Sequence, residues 1–113
     1  MAFSKIGIIG TGVIGEALIE VLLRSGLSKD SLFSAEKRGE RRDEIIKKYG
    51  VKELSQQVLL DAILIAVKPQ DFLTTIKELP SSATDSALIV SFAAGIRIKA
   101  IEDNLGGGSR VIR

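Results

Sequence analysis

Six residues constrain this chain more than any others: Gly10-Thr11-Gly12-Val13-Ile14-Gly15. They follow an aliphatic run, Lys5 to Ile9, that reads as a buried strand. They precede a segment, 13–24, with apolar residues at Ile14, Ala17, Leu18, Val21 and Leu22. That spacing predicts an amphipathic helix with those side chains inward. The three glycines have distinct roles in such a strand-to-helix turn. Gly10 permits the tight turn, Gly12 lets the backbone approach an anionic ligand, and Gly15 lets the helix pack on the strand. The helix N-terminus presents free N–H groups and partial positive charge to phosphates. The whole turn, Gly10, Thr11, Gly12, Val13, Ile14 and Gly15, is therefore predicted to hold the pyrophosphate of a dinucleotide.

The rest of the chain repeats the alternation. Ser25-Gly26 ends the first helix, with Gly26 as a left-handed cap. Strands are predicted at 32–35, 62–67, 87–92 and from 110, with a short one at 51–52. Helices are predicted at 40–49 (Ile45, Ile46 and Tyr49 inward), 71–79 (Phe72, Leu73, Ile76 and Leu79 inward) and 97–104. A helical turn at 56–60, a polar loop at 80–86 and a glycine turn at 106–108 complete the reading. Strands alternating with helices imply parallel pairing through right-handed crossovers. The expected fold is α/β, Rossmann-type and doubly wound, a mainly parallel sheet with helices on both faces.

Composition fits. At 113 residues the chain is long enough for one domain with one core, and a single dinucleotide-binding domain, 1–113, is expected. Only 4% of residues are aromatic, and Leu, Ile and Val supply the buried strands. A net charge of +2 gives no case for nucleic acid or a membrane surface as partner. Without cysteine or histidine there is no disulfide, no thiolate or imidazole metal site and no histidine base. No metal and no catalytic residue is assigned. No apolar run reaches membrane-spanning length and no signal-peptide pattern opens the chain, so a cytoplasmic location is expected. The chain ends at Arg113 inside a strand pattern. The expectation is a domain of a longer protein, with a second domain downstream.

Three further segments carry candidate chemistry. After the second strand come Glu36, Lys37 and Arg38, followed by Arg41 and Arg42. Glu36 suits the ribose hydroxyls of NAD, whereas Lys37, Arg38 and Arg41 suit the 2′-phosphate of NADP. The basic excess favours NADPH, with NADH the alternative. Val67-Lys68-Pro69-Gln70 falls where the sheet order reverses, beside the nicotinamide end of a cofactor. Lys68 either reaches a cofactor oxygen or is a plain exposed lysine behind a strand-stopping Pro69. Ala93-Ala94-Gly95 either leaves room for a flat ring or is only a turn.

Together these segments resemble one family, the pyrroline-5-carboxylate reductases. The resemblance rests on residues 5–12, on Glu16-Ala17-Leu18, on Ala66-Val67-Lys68-Pro69-Gln70, on residues 89–96 and on Arg110-Val111-Ile112-Arg113. It spans the whole chain as the family's N-terminal domain. It implies an NADPH-dependent oxidoreductase, NADH being possible, that reduces the imine of 1-pyrroline-5-carboxylate to L-proline in proline biosynthesis. By position it places Ala66, Val67, Lys68, Pro69, Phe92, Ala93 and Ala94 along the path to the nicotinamide. It implies a helical second domain that binds the small-molecule substrate and forms a homo-oligomer, so the 113 residues alone are expected to be inactive. The alternatives are the nucleotide-binding domain of another 6-phosphogluconate or hydroxyacid-dehydrogenase-like oxidoreductase, or a non-catalytic regulatory paralogue.

Overall fold

The computed structural model describes residues 5–54, 60–79, 87–92 and 110–112. Residues 56–59 of the expected turn at 56–60, the loop at 80–86, the helix at 97–104 and the glycines at 106–108 lie outside them, as do Ala93 and Ala94. Six strands form one sheet: β1 (Ile6–Ile9), β2 (Leu32–Ala35), β3 (Lys52–Glu53), β4 (Ala62–Ile65), β5 (Leu88–Ser91) and β6 (Arg110–Ile112). Their order is β3-β2-β1-β4-β5-β6, and every neighbouring pair is parallel. This is the doubly wound order, in which the connections reverse direction between β1 and β4.

Strand alternation divides the core in two. Ile6 and Ile8 face one side, where they pack with Leu32, Ala62, Ile19 of α1 (Val13–Arg24) and Ile45 of α2 (Gly39–Tyr49). Ile9, Ile63, Ile65 and Ile89 face the other, against Phe72 and Ile76 of α3 (Pro69–Glu78). Helices on both faces bury these strands, which is why they read as unbroken aliphatic runs.

Two expectations about helix faces are corrected. The inward residues of α1 are Gly15 and Ile19, with Leu18, Leu22 and Leu23 partly covered. Ile14 and Val21 are 51% and 60% exposed, and Ala17 is also exposed. The reason is steric: Gly15 must face β1, because a side chain there would strike the turn. That fixes the helix rotation about one position away from the apolar stripe. In α3, Thr75 is buried with Phe72 and Ile76, while Leu73 is exposed. Pro69 does not merely stop a strand, because β4 has already ended at Ile65. It opens α3 at the first helical position, where its missing N–H costs nothing.

Candidate functional site

The parallel register brings several strand ends to one edge. Ile9 pairs with both Ala35 and Ile65, and Ile65 pairs with Ser91. The next residues continue the ladder: Gly10 N donates to Ala35 O at 2.8 Å, Ala66 N to Ile9 O at 2.8 Å and Phe92 N to Ile65 O at 2.9 Å. Gly10, Glu36, Ala66 and Phe92 thus leave the sheet side by side. Between the ends of β1, β2 and β4 and the side of α3 opens a cleft of about 770 Å³.

Each glycine of the turn has a distinct steric position. Gly10 has a φ of +88°, a conformation that disfavours any side chain. A Cβ on Gly15 would lie 1.9 Å from Gly10 O, so only glycine lets α1 start there. A Cβ on Gly12 would meet no heavy atom within 4 Å, yet Gly12 lines the cleft. The fold does not demand glycine at this position. The backbone here is open to close approach by an occupant of the cleft. Gly12 is also the N-cap of α1 and brings no side chain to its first N–H groups. These features fit the pyrophosphate of a dinucleotide.

The turn is held from outside by two charged side chains. Thr11 is fully buried. Its N–H and its hydroxyl both donate to Glu36 Oε1, at 2.9 and 2.6 Å. Its carbonyl accepts from Arg41 Nε at 2.7 Å. Arg41 also binds Glu16 and Glu44. Glu16 in turn accepts from Lys48 at 2.8 Å, and the single proton of the Tyr49 hydroxyl is shared between Glu16 and Glu20. The hydrogen bond from Lys48, then those from Tyr49 and Arg41, hold the Glu16 carboxyl at about 2. Burial pushes the Glu36 carboxyl up, but hydrogen bonds from Arg38 and Thr11 outweigh it and bring it to about 2. Burial, helped by Glu16 and Glu20, raises the Tyr49 phenol to about 12. Both carboxylates are therefore charged at neutral pH.

Of the residues singled out in the sequence, Gly10, Thr11, Gly12, Val13, Glu36, Lys37, Arg38, Ala66, Val67 and Lys68 all line the cleft. Gly15 lies beneath the turn, Ile14 is on the outer flank of α1, and Pro69 is exposed at the start of α3. Phe92 is 41% exposed at the end of β5 and does not line the cleft. Arg41 points at the glycine turn, donating to the Thr11 carbonyl, and does not line the cleft. Arg38 does line it, 67% exposed and paired with Glu36 at 3.2 Å. Lys37 pairs with Glu78 of α3 at 3.2 Å, tying the β2 end to that helix.

Sequence reasoning missed one wall of the cleft, formed by Leu54 after β3 and by Asp71, Thr75 and Glu78 of α3. Thr75 lies three residues after Phe72 and one before Ile76. That placement on the inward face of the helix was the available signal. Among the described residues no cluster of His, Cys, Asp or Glu could hold a metal ion. No described helix is long and apolar enough to cross a membrane.

Comparison with known proteins gives consistent matches. The family described as NADP oxidoreductase, coenzyme F420-dependent, matches residues 5–95. The pyrroline-5-carboxylate reductase of Mycobacterium leprae is 34% identical over 120 residues, which cover 99% of this chain and 41% of that protein. The one from Methanosarcina acetivorans is 28% identical over 118 residues, 100% of this chain and 44% of the relative. A solved pyrroline-5-carboxylate reductase from Coxiella burnetii shares the fold, with a TM-score of 0.83 at 24% identity, over 96% of this chain and 42% of its own. The chain spans less than half the length of each of these relatives.

Proposed function

The chain belongs to the NADP oxidoreductase, coenzyme F420-dependent family, and from that premise we propose that it is the NAD(P)H-binding domain of a pyrroline-5-carboxylate reductase. The reaction would be reduction of 1-pyrroline-5-carboxylate to L-proline. When bound, the nicotinamide supplies the hydride. The observation that carries the reading is the open face of Gly12 inside a cleft where three strand ends converge. That the position is free while Gly15 forbids a side chain supports close approach of a ligand at Gly12.

The residues of this chain bind and orient. Gly10 to Val13 and the start of α1 would cradle the pyrophosphate. Lys37 and Arg38 would meet the adenosine ribose and its 2′-phosphate, which makes NADPH the preferred cofactor. Ala66 to Lys68 would border the nicotinamide end. No group in these residues is assigned to move a proton.

The matched relatives are more than twice as long as the region this chain covers, at 41% and 44% of their length. That supports a second domain in the working enzyme, which would supply the substrate site and the contacts of a homo-oligomer. A cytoplasmic location fits a cofactor-dependent biosynthetic step. Calorimetric titration with NADPH and NADH tests the reading. Saturable one-site binding with NADPH the tighter ligand is expected. Tighter NADH binding overturns the NADPH assignment, and no binding of either overturns the function.

A further inference from the structure

We propose that Arg41 is a positioning residue of the glycine turn, holding the peptide between Thr11 and Gly12 so that its N–H faces the cleft. The inference rests on the cofactor-binding reading above. Two successive peptide groups in the turn are clamped by side chains from outside it. The Gly10–Thr11 peptide directs its N–H to Glu36 Oε1 at 2.9 Å. The Thr11–Gly12 peptide directs its carbonyl to Arg41 Nε at 2.7 Å. There are no cis peptide bonds among the described residues. In a trans peptide the N–H points opposite to the carbonyl. With the Thr11 carbonyl drawn back toward α2, the Gly12 N–H is turned away from α2, and Gly12 borders the cleft.

The alternative orientation shows what the clamp prevents. Rotation of this one peptide group would bring the Thr11 carbonyl forward and place a partial negative charge where phosphate oxygens must sit. Gly12 carries no side chain to oppose the rotation. Arg41 opposes it with a charge-assisted hydrogen bond, stronger than a neutral one. The guanidinium is itself fixed, because Glu16 of α1 and Glu44 of α2 hold its other nitrogens. Its side chain is only 22% exposed. Arg41 therefore acts on the ligand through the backbone, from a position that does not line the cleft.

The test compares three ligands on wild type and Arg41→Gln: NADPH, NADH and adenosine 2′-phosphate, which lacks a pyrophosphate. Affinities are measured well below the melting temperature of each protein. The proposal expects NADPH and NADH to weaken by the same factor, roughly tenfold for one charge-assisted hydrogen bond. Adenosine 2′-phosphate binding should change less than about twofold on the same scale. If Arg41 instead grips the 2′-phosphate, NADPH and adenosine 2′-phosphate weaken while NADH is spared, and the proposal is overturned. A lower melting temperature with all three affinities unchanged makes Arg41 merely structural and also overturns it. Should Arg41→Gln fail to fold, Arg41→Lys keeps a cation near the carbonyl. It should show a smaller loss, still equal for the two dinucleotides; an unequal loss or none refutes the role. Failure of the wild type to bind either dinucleotide would instead remove the reading beneath the proposal.

Discussion

Replacing Gly15 with alanine should damage the fold out of proportion to the single methyl group added. Its Cβ would lie 1.9 Å from Gly10 O and 2.9 Å from Gly10 C, against a practical minimum of 3.0 Å. The deficit to the oxygen is 3.0 − 1.9 = 1.1 Å. Gly10 cannot yield it. Its N–H is held by Ala35 O at 2.8 Å, in line with the ladder of β1 and β2. The start of α1 must therefore lift from β1 by about the same distance, loosening Ile19, which is fully buried one turn later. Overpacking of this kind costs about 2–3 kcal/mol. For a domain of this size that lowers the melting temperature by roughly 10–15 °C. Thermal melting by circular dichroism reads it directly, with Gly39→Ala as control. Gly39 opens α2, and a Cβ there would meet only Arg42 Nη2 at 3.8 Å. The control should melt at or slightly above wild type. A Gly15→Ala protein melting within about 3 °C of wild type would refute the packing argument.

Further outcomes follow from the same geometry. Ile19→Ala should cost about 2–5 kcal/mol, because Ile19 is fully buried, whereas Val21→Ala at 60% exposure should stay within about 0.5 kcal/mol. Equal losses in urea unfolding would mean that the rotation assigned to α1 is wrong. Glu16 should make stability depend on acid. Its folded value of about 2 lies below its ordinary 4.5, so its contribution is complete above about 4.5 and is lost as the pH falls toward 2. Melting curves of wild type and Glu16→Gln should therefore converge across that window, and a difference that stays constant with pH contradicts the network. Lys37→Ala with Arg38→Ala should weaken NADPH more than NADH, since a dianionic 2′-phosphate loses both cations; equal weakening would place the phosphate elsewhere.

Much of this was legible because it is local. Gly10, Gly12 and Gly15 mark a strand-to-helix turn through spacing alone, and the aliphatic runs at Ile6–Ile9 and Ala62–Ile65 mark strands buried on both faces. The end residues Glu36 and Ala66 then follow from the expected strand order. The face of α1 was misread because two apolar stripes compete on it. Ile14, Ala17 and Val21 form as regular a pattern as Gly15, Ile19 and Leu23, and hydrophobicity cannot separate them. A glycine inside an otherwise good helix was the better guide, since it marks the side that must touch backbone. The engagement of Arg41 was hidden for a different reason. Its charge and position in the chain suit a phosphate ligand, but only the packing of α2 against the glycine turn reveals that a carbonyl and two carboxylates already engage it. The cleft wall from α3 was hidden likewise, because it depends on where that helix packs beside the strand ends.

The central claim is that the bare backbone at Gly12 receives a dinucleotide. Paired titrations of NADPH into wild type and Gly12→Val test it most directly, each with a melting curve. Because a Cβ at this position meets nothing within 4 Å, the variant should still fold, melting several degrees below wild type because valine is a poorer N-cap for α1 than glycine. Its branched side chain should nevertheless fill the space that the phosphates need, and NADPH binding should vanish. A folded Gly12→Val protein that binds NADPH as tightly as wild type would contradict the account.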